Sequence, residues 1–271
     1  MVGKDIRFKM NREELLVTAI NATLNGGKEI LSVYEADFSI EYKDDNSPLT
    51  EADKRAHNKI TEMLESTSLP ILSEEGIKIP FAERKNWSQF WMVDPLDGTK
   101  EFIKRNGEFT VNIALIEHGK PTMGVIYVPV TKELYFSDEK AFKTIQLDDI
   151  AGLEDLIDLQ SLPLTQSREN YVVVGSRSHM SEETTSFIND KKKLYDKVDI
   201  LPKGSSLKLC MVAEGSADIY PRFAPTSEWD IAAGQAIVVA SGGEVINWGT
   251  KEPLEYNKED LDNAWFLVKR D

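Results

Sequence analysis

The 271 residues hold one cysteine, Cys210, so no intramolecular disulfide and no cysteine-based zinc site can form. Its setting, Leu207-Lys208-Leu209-Cys210-Met211-Val212, reads as a small core residue on a helix. Histidine is scarce: the 3 present, His57, His118 and His179, are too scattered to suggest a zinc set. No stretch approaches the roughly 18 uncharged apolar residues of a spanning helix. The start, Met1-Val2-Gly3-Lys4-Asp5-Ile6-Arg7, lacks the apolar run of a signal peptide. Positive charge is short: 32 Lys and Arg against 46 Asp and Glu leave a net charge of −14. That balance argues against a duplex nucleic-acid partner, which needs a basic face, and against a polybasic membrane anchor. A phosphate-bearing substrate stays open if metal cations supply the missing charge. The expected setting is cytoplasmic, with peripheral contact at the inner membrane left open.

What is present is an ordinary globular composition, 41% apolar and 29% charged, on a chain long enough to bury a core without staples. Apolar spacing predicts helices over residues 12 to 36 and 51 to 66. Gly26-Gly27 weakens the first of these, because glycine costs a helix about 1 kcal/mol against alanine. Strand-like runs follow at 69 to 72, 90 to 93, 109 to 116, 122 to 128 and 133 to 136. Residues 138 to 170 carry little periodic pattern, and the domain boundary is placed there. Beyond it, strands near 171, 198, 217, 244 and 265 alternate with helices near 181, 206 and 229. The expected architecture is an α+β domain over 1–150 followed by an α/β domain over 151–271.

Carboxylates recur at the ends of these elements: Asp53, Glu74 with Glu75, Asp94 with Asp97, and Asp230. Each has a structural explanation. Thr50-Glu51-Ala52-Asp53 and Ser227-Glu228-Trp229-Asp230 are capping boxes. Glu74-Glu75-Gly76 suits a solvated turn. Asp94-Pro95-Leu96-Asp97-Gly98-Thr99 is harder to dismiss, because two aspartates three apart after an apolar strand can enter one cavity if the chain turns between them. Pro95 constrains that turn, Gly98 lets backbone approach a ligand, and Thr99 opens a short helical segment. Oxygen donors without His or Cys select Mg²⁺ over zinc or copper.

Glu74-Glu75, Asp94 to Thr99 and Trp229-Asp230-Ile231-Ala232-Ala233-Gly234 resemble, in order and spacing, the three motifs of the Mg²⁺-dependent inositol monophosphatase superfamily. Ser47-Pro48-Leu49-Thr50-Glu51-Ala52-Asp53 resembles its upstream element, with Leu49 where the family has valine. The run from Gly98 through Lys100-Glu101-Phe102 to Ile116 resembles the bacterial bisphosphate nucleotidases of that superfamily, whereas inositol monophosphatases usually carry Thr-Asn-Phe at 100 to 102. The resemblance implies a two-domain layered sandwich of alternating helices and sheets, with its site between the domains. It implies that Glu74, Asp94, Asp97 and Asp230, with the backbone carbonyl of Leu96, ligate Mg²⁺. Asp53 with Thr99 would orient and deprotonate an attacking water. Glu74, Leu96, Asp97, Gly98, Thr99 and Asp230 would also border the scissile phosphate. Ser178, His179, Ser205 beside Gly204, Lys208 and Arg222 would hold the adenosine and the remaining phosphate. Lys208 and Arg222 have equally good structural roles as a helix face and a strand-end surface charge, and Lys191-Lys192-Lys193 reads as a solvated face. The expected partner is a small phosphate ester. The implied reaction is hydrolysis of the 3′-phosphate of adenosine 3′,5′-bisphosphate, with the sulfated nucleotide PAPS a further substrate. Inositol monophosphate and fructose 1,6-bisphosphate are competing substrates, and a catalytically silent nucleotide sensor is the reading from another class.

Overall fold

The computed structural model describes residues 10–36, 39–42, 48–146, 148–164, 168–176 and 181–270. The first helix, α1 (Arg12–Tyr34), starts at a capping box. The Asn11 side chain accepts from the Glu14 amide at 3.0 Å, and the Asn11 amide donates to the Glu14 carboxylate at 2.7 Å. Gly26 and Gly27 sit within it for a packing reason. A Cβ on Gly26 would lie 2.7 Å from Ile60 Cδ1, and one on Gly27 would lie 2.6 Å from the Tyr127 ring. The pair lets α1 press closely against its neighbours, which offsets its poor helix propensity. A two-stranded ladder, β1 (Ile40–Tyr42) and β2 (Pro48–Thr50), then leads into α2 (Glu51–Leu64).

Next come β3 (Ile71–Ser73), the short α3 (Phe81–Arg84), β4 (Gln89–Asp97), the short α4 (Thr99–Ile103), β5 (Thr110–Glu117), β6 (Lys120–Val128), β7 (Glu133–Ser137), β8 (Ala141–Ile145) and β9 (Gln160–Ser161). The seven strands form one sheet in chain order, β3 parallel to β4 and the rest antiparallel. Residues 138 to 170 therefore hold two short strands that extend this sheet, although the sequence there shows little pattern. β8 and β9 lie at or next to the sheet edge, where polar positions such as Lys143 and Gln160 dilute the alternation.

The remaining elements are β10 (Tyr171–Ser176), α5 (Glu182–Leu194), β11 (Val198–Lys203), α6 (Leu207–Glu214), β12 (Ile219–Arg222), α7 (Glu228–Ala240), β13 (Glu244–Asn247) and β14 (Phe266–Lys269). Their five strands form a second sheet in the order β11-β10-β12-β14-β13. Lys191, Lys192 and Lys193 fall in the last turn of α5, where cations suit the helix dipole.

Alternate residues of each strand serve different cores. On β4, Trp91 and Val93 join Ile20, Leu24 and Ile60 of α1 and α2. Phe90 and Met92 face the other way, onto Leu209, Ala233 and Ile237 of α6 and α7. Those two helices also cover Val172, Val174 and Val268 of the second sheet. Its outer face, with Val173, Ile219 and Leu267, packs on Ile188 of α5. The result is five layers, helix pair, sheet, helix pair, sheet, helix, which is the layered helix-and-sheet sandwich that the resemblance implied. Both sheets are buried on two faces, so their central strands read as continuous apolar runs rather than alternations. Cys210 is a buried member of the middle layer, as its setting implied.

Candidate active site

The acidic positions converge where α2, β4, α4, α6 and α7 meet. Thr50 caps α2, and its capping box turns the Asp53 carboxylate inward. The Thr50 amide and hydroxyl donate to Asp53 Oδ2 at 2.7 and 2.6 Å. The other oxygen, Oδ1, accepts from the Thr99 hydroxyl at 3.1 Å. Burial pushes the Asp53 carboxyl up, the Thr50 and Thr99 hydrogen bonds hold it down, and the nearby Glu74 charge adds a further push upward.

The Asp-Pro-Leu-Asp segment breaks the β4–β5 ladder with a register shift between Asp94 and Asp97. The Leu96 amide donates to Asp94 Oδ1 at 3.1 Å. The Leu96 carbonyl accepts from Thr99 Oγ1 at 3.3 Å. Gly98 then takes φ +93°, a left-handed conformation that side chains avoid. A Cβ there would also stand 3.2 Å from the Glu108 carbonyl and 3.3 Å from Ser205 Cβ.

Asp94 is buried, and its carboxyl is driven well above the ordinary range by burial and then by the charges of Glu74, Asp97 and Asp230. Asp230 is driven up by burial and by Asp97 and Glu74; the Ser227 amide, donating at 2.9 Å, and the Arg222 charge oppose this. Four separated segments thus place acids within electrostatic reach of one another. Among the described residues no group of three or more acidic, His or Cys side chains is placed to hold a metal ion. Asp97 Oδ2 turns instead to the Ser205 hydroxyl at 2.7 Å and the Ser206 amide at 2.6 Å, leaving Oδ1 outside those two bonds. Mutual repulsion and an all-oxygen donor set are what a hard divalent cation relieves, so the residues fit such an ion.

Across the acids lies Lys208 on α6, buried, with its ammonium donating to the Ser205 carbonyl and standing 5.4 Å over the Tyr220 ring. Burial, helped by the Arg222 charge and opposed by Asp97, Asp230 and Glu101, lowers it to about 8. Arg222 ends β12 and donates to the Pro225 carbonyl at 2.8 Å. The fold therefore brings Asp53, Glu74, Asp94, Leu96, Asp97, Gly98, Thr99, Ser205, Lys208, Arg222 and Asp230 into one neighbourhood. Ser178 and His179 lie outside the described residues.

A hydroxyl cluster behind Asp97 escaped the sequence reading. Thr110 lies 2.6 Å from the Ser205 hydroxyl and 2.7 Å from that of Ser206, and Asn112 Oδ1 accepts from Thr110 at 3.0 Å and from Ser206 at 2.9 Å. Only strand pairing could have revealed it: Asp97 faces Thr110 and Asp94 faces Asn112 across β4 and β5.

The chain is similar to known proteins along most of its length. The chain is 46% identical over 250 residues to the 3′(2′),5′-bisphosphate nucleotidase CysQ of Salmonella typhimurium, covering 90% of this chain and 95% of that protein. Against the CysQ of Escherichia coli K12 the identity is 44% with the same coverage. The crystal structure of CysQ from Bacteroides thetaiotaomicron superposes with a TM-score of 0.88 at 51% identity, covering 95% of this chain and 97% of that one. An inositol monophosphatase from Thermotoga maritima shares the fold at a TM-score of 0.71 and 22% identity, over 92% and 89%. With the inositol monophosphatase family matched over residues 11–265, its acidic motifs gathered at one place by the fold, the chain belongs to that family.

Proposed function

We propose that the protein is a Mg²⁺-dependent 3′(2′),5′-bisphosphate nucleotidase that converts adenosine 3′,5′-bisphosphate to AMP and phosphate. The observation that carries this reading is the nearness of acids and cations at one place: buried Lys208 feels the charges of Asp97, Asp230 and Arg222 together. A substrate with two phosphates fits that polarity: one phosphate among the acids and their cations, the other on Lys208 and Arg222. The names of the CysQ relatives support the same substrate class.

Glu74, Asp94, Asp97, Asp230 and the Leu96 carbonyl would hold Mg²⁺, which when bound offsets the charge of phosphate and acids and stabilises the leaving oxygen. Metal dependence is a trait of the family. The protein's own groups do the proton work. Thr99 Oγ1, donating to Asp53, presents a lone pair to a water, and that water loses a proton toward the Asp53–Thr99 pair as its oxygen attacks phosphorus. The water oxygen bonds to phosphorus, the bond to the 3′ oxygen breaks in line, and the departing oxygen takes up a proton from solvent. No phosphoenzyme is formed. Gly98 and Thr99 would steady the scissile phosphate, and Ser205, with Ser178 and His179, would line the nucleoside end. In this reading residues 1–150 supply most of the metal ligands and residues 151–271 the nucleotide contacts together with Asp230.

The reading also includes PAPS as an accepted substrate and a cytoplasmic setting with peripheral contact at the inner membrane, which cell fractionation would test. Among the described residues no helix is long and apolar enough to cross a membrane. The deciding experiment is phosphate release from adenosine 3′,5′-bisphosphate, PAPS, inositol monophosphate and fructose 1,6-bisphosphate, with Mg²⁺ and with EDTA. The highest kcat/KM should fall on adenosine 3′,5′-bisphosphate and vanish with EDTA. A preference for inositol or fructose phosphate would overturn the assignment, and nucleotide binding without turnover would turn it into a sensor.

A further inference from the structure

We propose that a buried strap, Arg84–Asn257–Glu228, fixes the segment that follows Glu74 against the start of the Asp230 helix and so sets how well the acids take up a cation. The inference rests on the cation-site reading above. Glu228 opens α7 two residues before Asp230, and its carboxylate is fully buried. It accepts from the Asn257 amide at 2.6 Å, the Lys258 amide at 3.1 Å and the Lys258 ammonium at 2.5 Å. Arg84 ends α3, ten residues after Glu74, and is also buried. Its guanidinium donates to Asn257 Oδ1 at 2.8 Å and to the carbonyls of Lys258 and Glu259 at 2.6 and 3.0 Å. Asn257 closes the clamp by donating back to the Arg84 carbonyl at 2.7 Å. It does so at φ +69°, a conformation asparagine tolerates better than most residues.

The same loop braces the first turn of α7 from outside. The Glu228 amide donates to the Leu261 carbonyl at 2.9 Å, and Asn263 Nδ2 donates to the Ser227 carbonyl at 2.8 Å. Ser227 is the residue whose amide holds Asp230. Glu74 and Asp230 are acids within electrostatic reach of one another. The strap joins the segment ten residues after Glu74 to the first turn of the Asp230 helix. Arg84, Asn257 and Glu228 are positioning residues, since they act through the acids and touch neither substrate nor cation.

Two variants test this. Asn257→Gly keeps the positive φ accessible and deletes both side-chain bonds to Arg84. Glu228→Gln keeps the volume but removes the charge and one acceptor. Tyr256→Phe is the comparison: it removes the neighbouring buried bond from Tyr256 to Gln235, 2.9 Å long, and leaves the strap whole. Mg²⁺ would be titrated calorimetrically into each EDTA-treated protein well below its melting temperature. Loss of a direct outer-shell partner costs about 10–100-fold in metal affinity, and the strap acts one step further out. Both strap variants should raise the Mg²⁺ dissociation constant by about 3- to 10-fold, with Tyr256→Phe matching wild type. Wild-type affinity in the strap variants, or equal weakening by Tyr256→Phe, would overturn the strap. Wild-type protein that binds no Mg²⁺ would overturn the cation-site reading beneath it.

Discussion

At the residue scale, Asp53 joins a structural role to the chemical one proposed for it. One oxygen closes the cap of α2 and the other is bound to Thr99. The capping explanation of the sequence is met, and it is compatible with the proposed catalytic one, because a cap fixes the carboxylate that would receive a proton. Asp53→Asn keeps an acceptor for the Thr50 amide but loses the base. We expect kcat to fall about 10²- to 10⁴-fold, with the thermal midpoint nearly unchanged; steady-state rates and thermal unfolding of the same preparation check both. Asp94→Asn and Asp97→Asn should abolish turnover while leaving the far-ultraviolet circular dichroism intact. Wild-type-like rates in either would reject the metal assignment. These residues were legible in the sequence because their motifs are local and ordered. Ser206, Thr110 and Asn112 were not, because a hydroxyl cluster has no spacing of its own until two strands pair and a helix arrives.

At the scale of elements, glycines mark where layers touch. Gly to Ala in a free helix usually stabilises by about 0.5–1 kcal/mol. For Gly27→Ala we expect the opposite sign, a loss of about 1–3 kcal/mol, since the new methyl meets the Tyr127 ring at 2.6 Å. Gly124→Ala on β6 should cost more. Its Cβ would stand 2.3 Å from the Ala233 carbonyl of α7, and backbone cannot swing aside as a side chain can. Urea unfolding of both variants measures the order, and a stabilised Gly27→Ala would contradict the packing role. Helices and central strands were readable because their apolar periods are strong. β8 and β9 were not, because edge strands need bury little apolar surface.

At the scale of the molecule, the acids set the pH response. Asp94 and Asp230 carry protons in the fold above the pH at which they lose them when unfolded. The folded state therefore binds more protons in that window, and stability falls as pH rises from the ordinary aspartate range through the raised values. A bound cation favours the deprotonated acids and should reverse the trend. Melting temperatures between about pH 5 and 8 in EDTA should decline with pH, more gently for Asp94→Asn, and Mg²⁺ should raise them most at the alkaline end. A Mg²⁺ effect independent of pH would count against ligation by these acids.

The sequence alone determined the family resemblance, since Asp94 to Thr99 and Trp229 to Gly234 are short contiguous stretches of chain. It also determined most helices and strands, because the periods that bury their faces are local. The tertiary structure alone decided which acids meet, how the middle helices serve two sheets at once, and how Arg84 reaches Asn257. Those are contacts between residues in separate elements, set by layer packing that no short stretch of chain encodes.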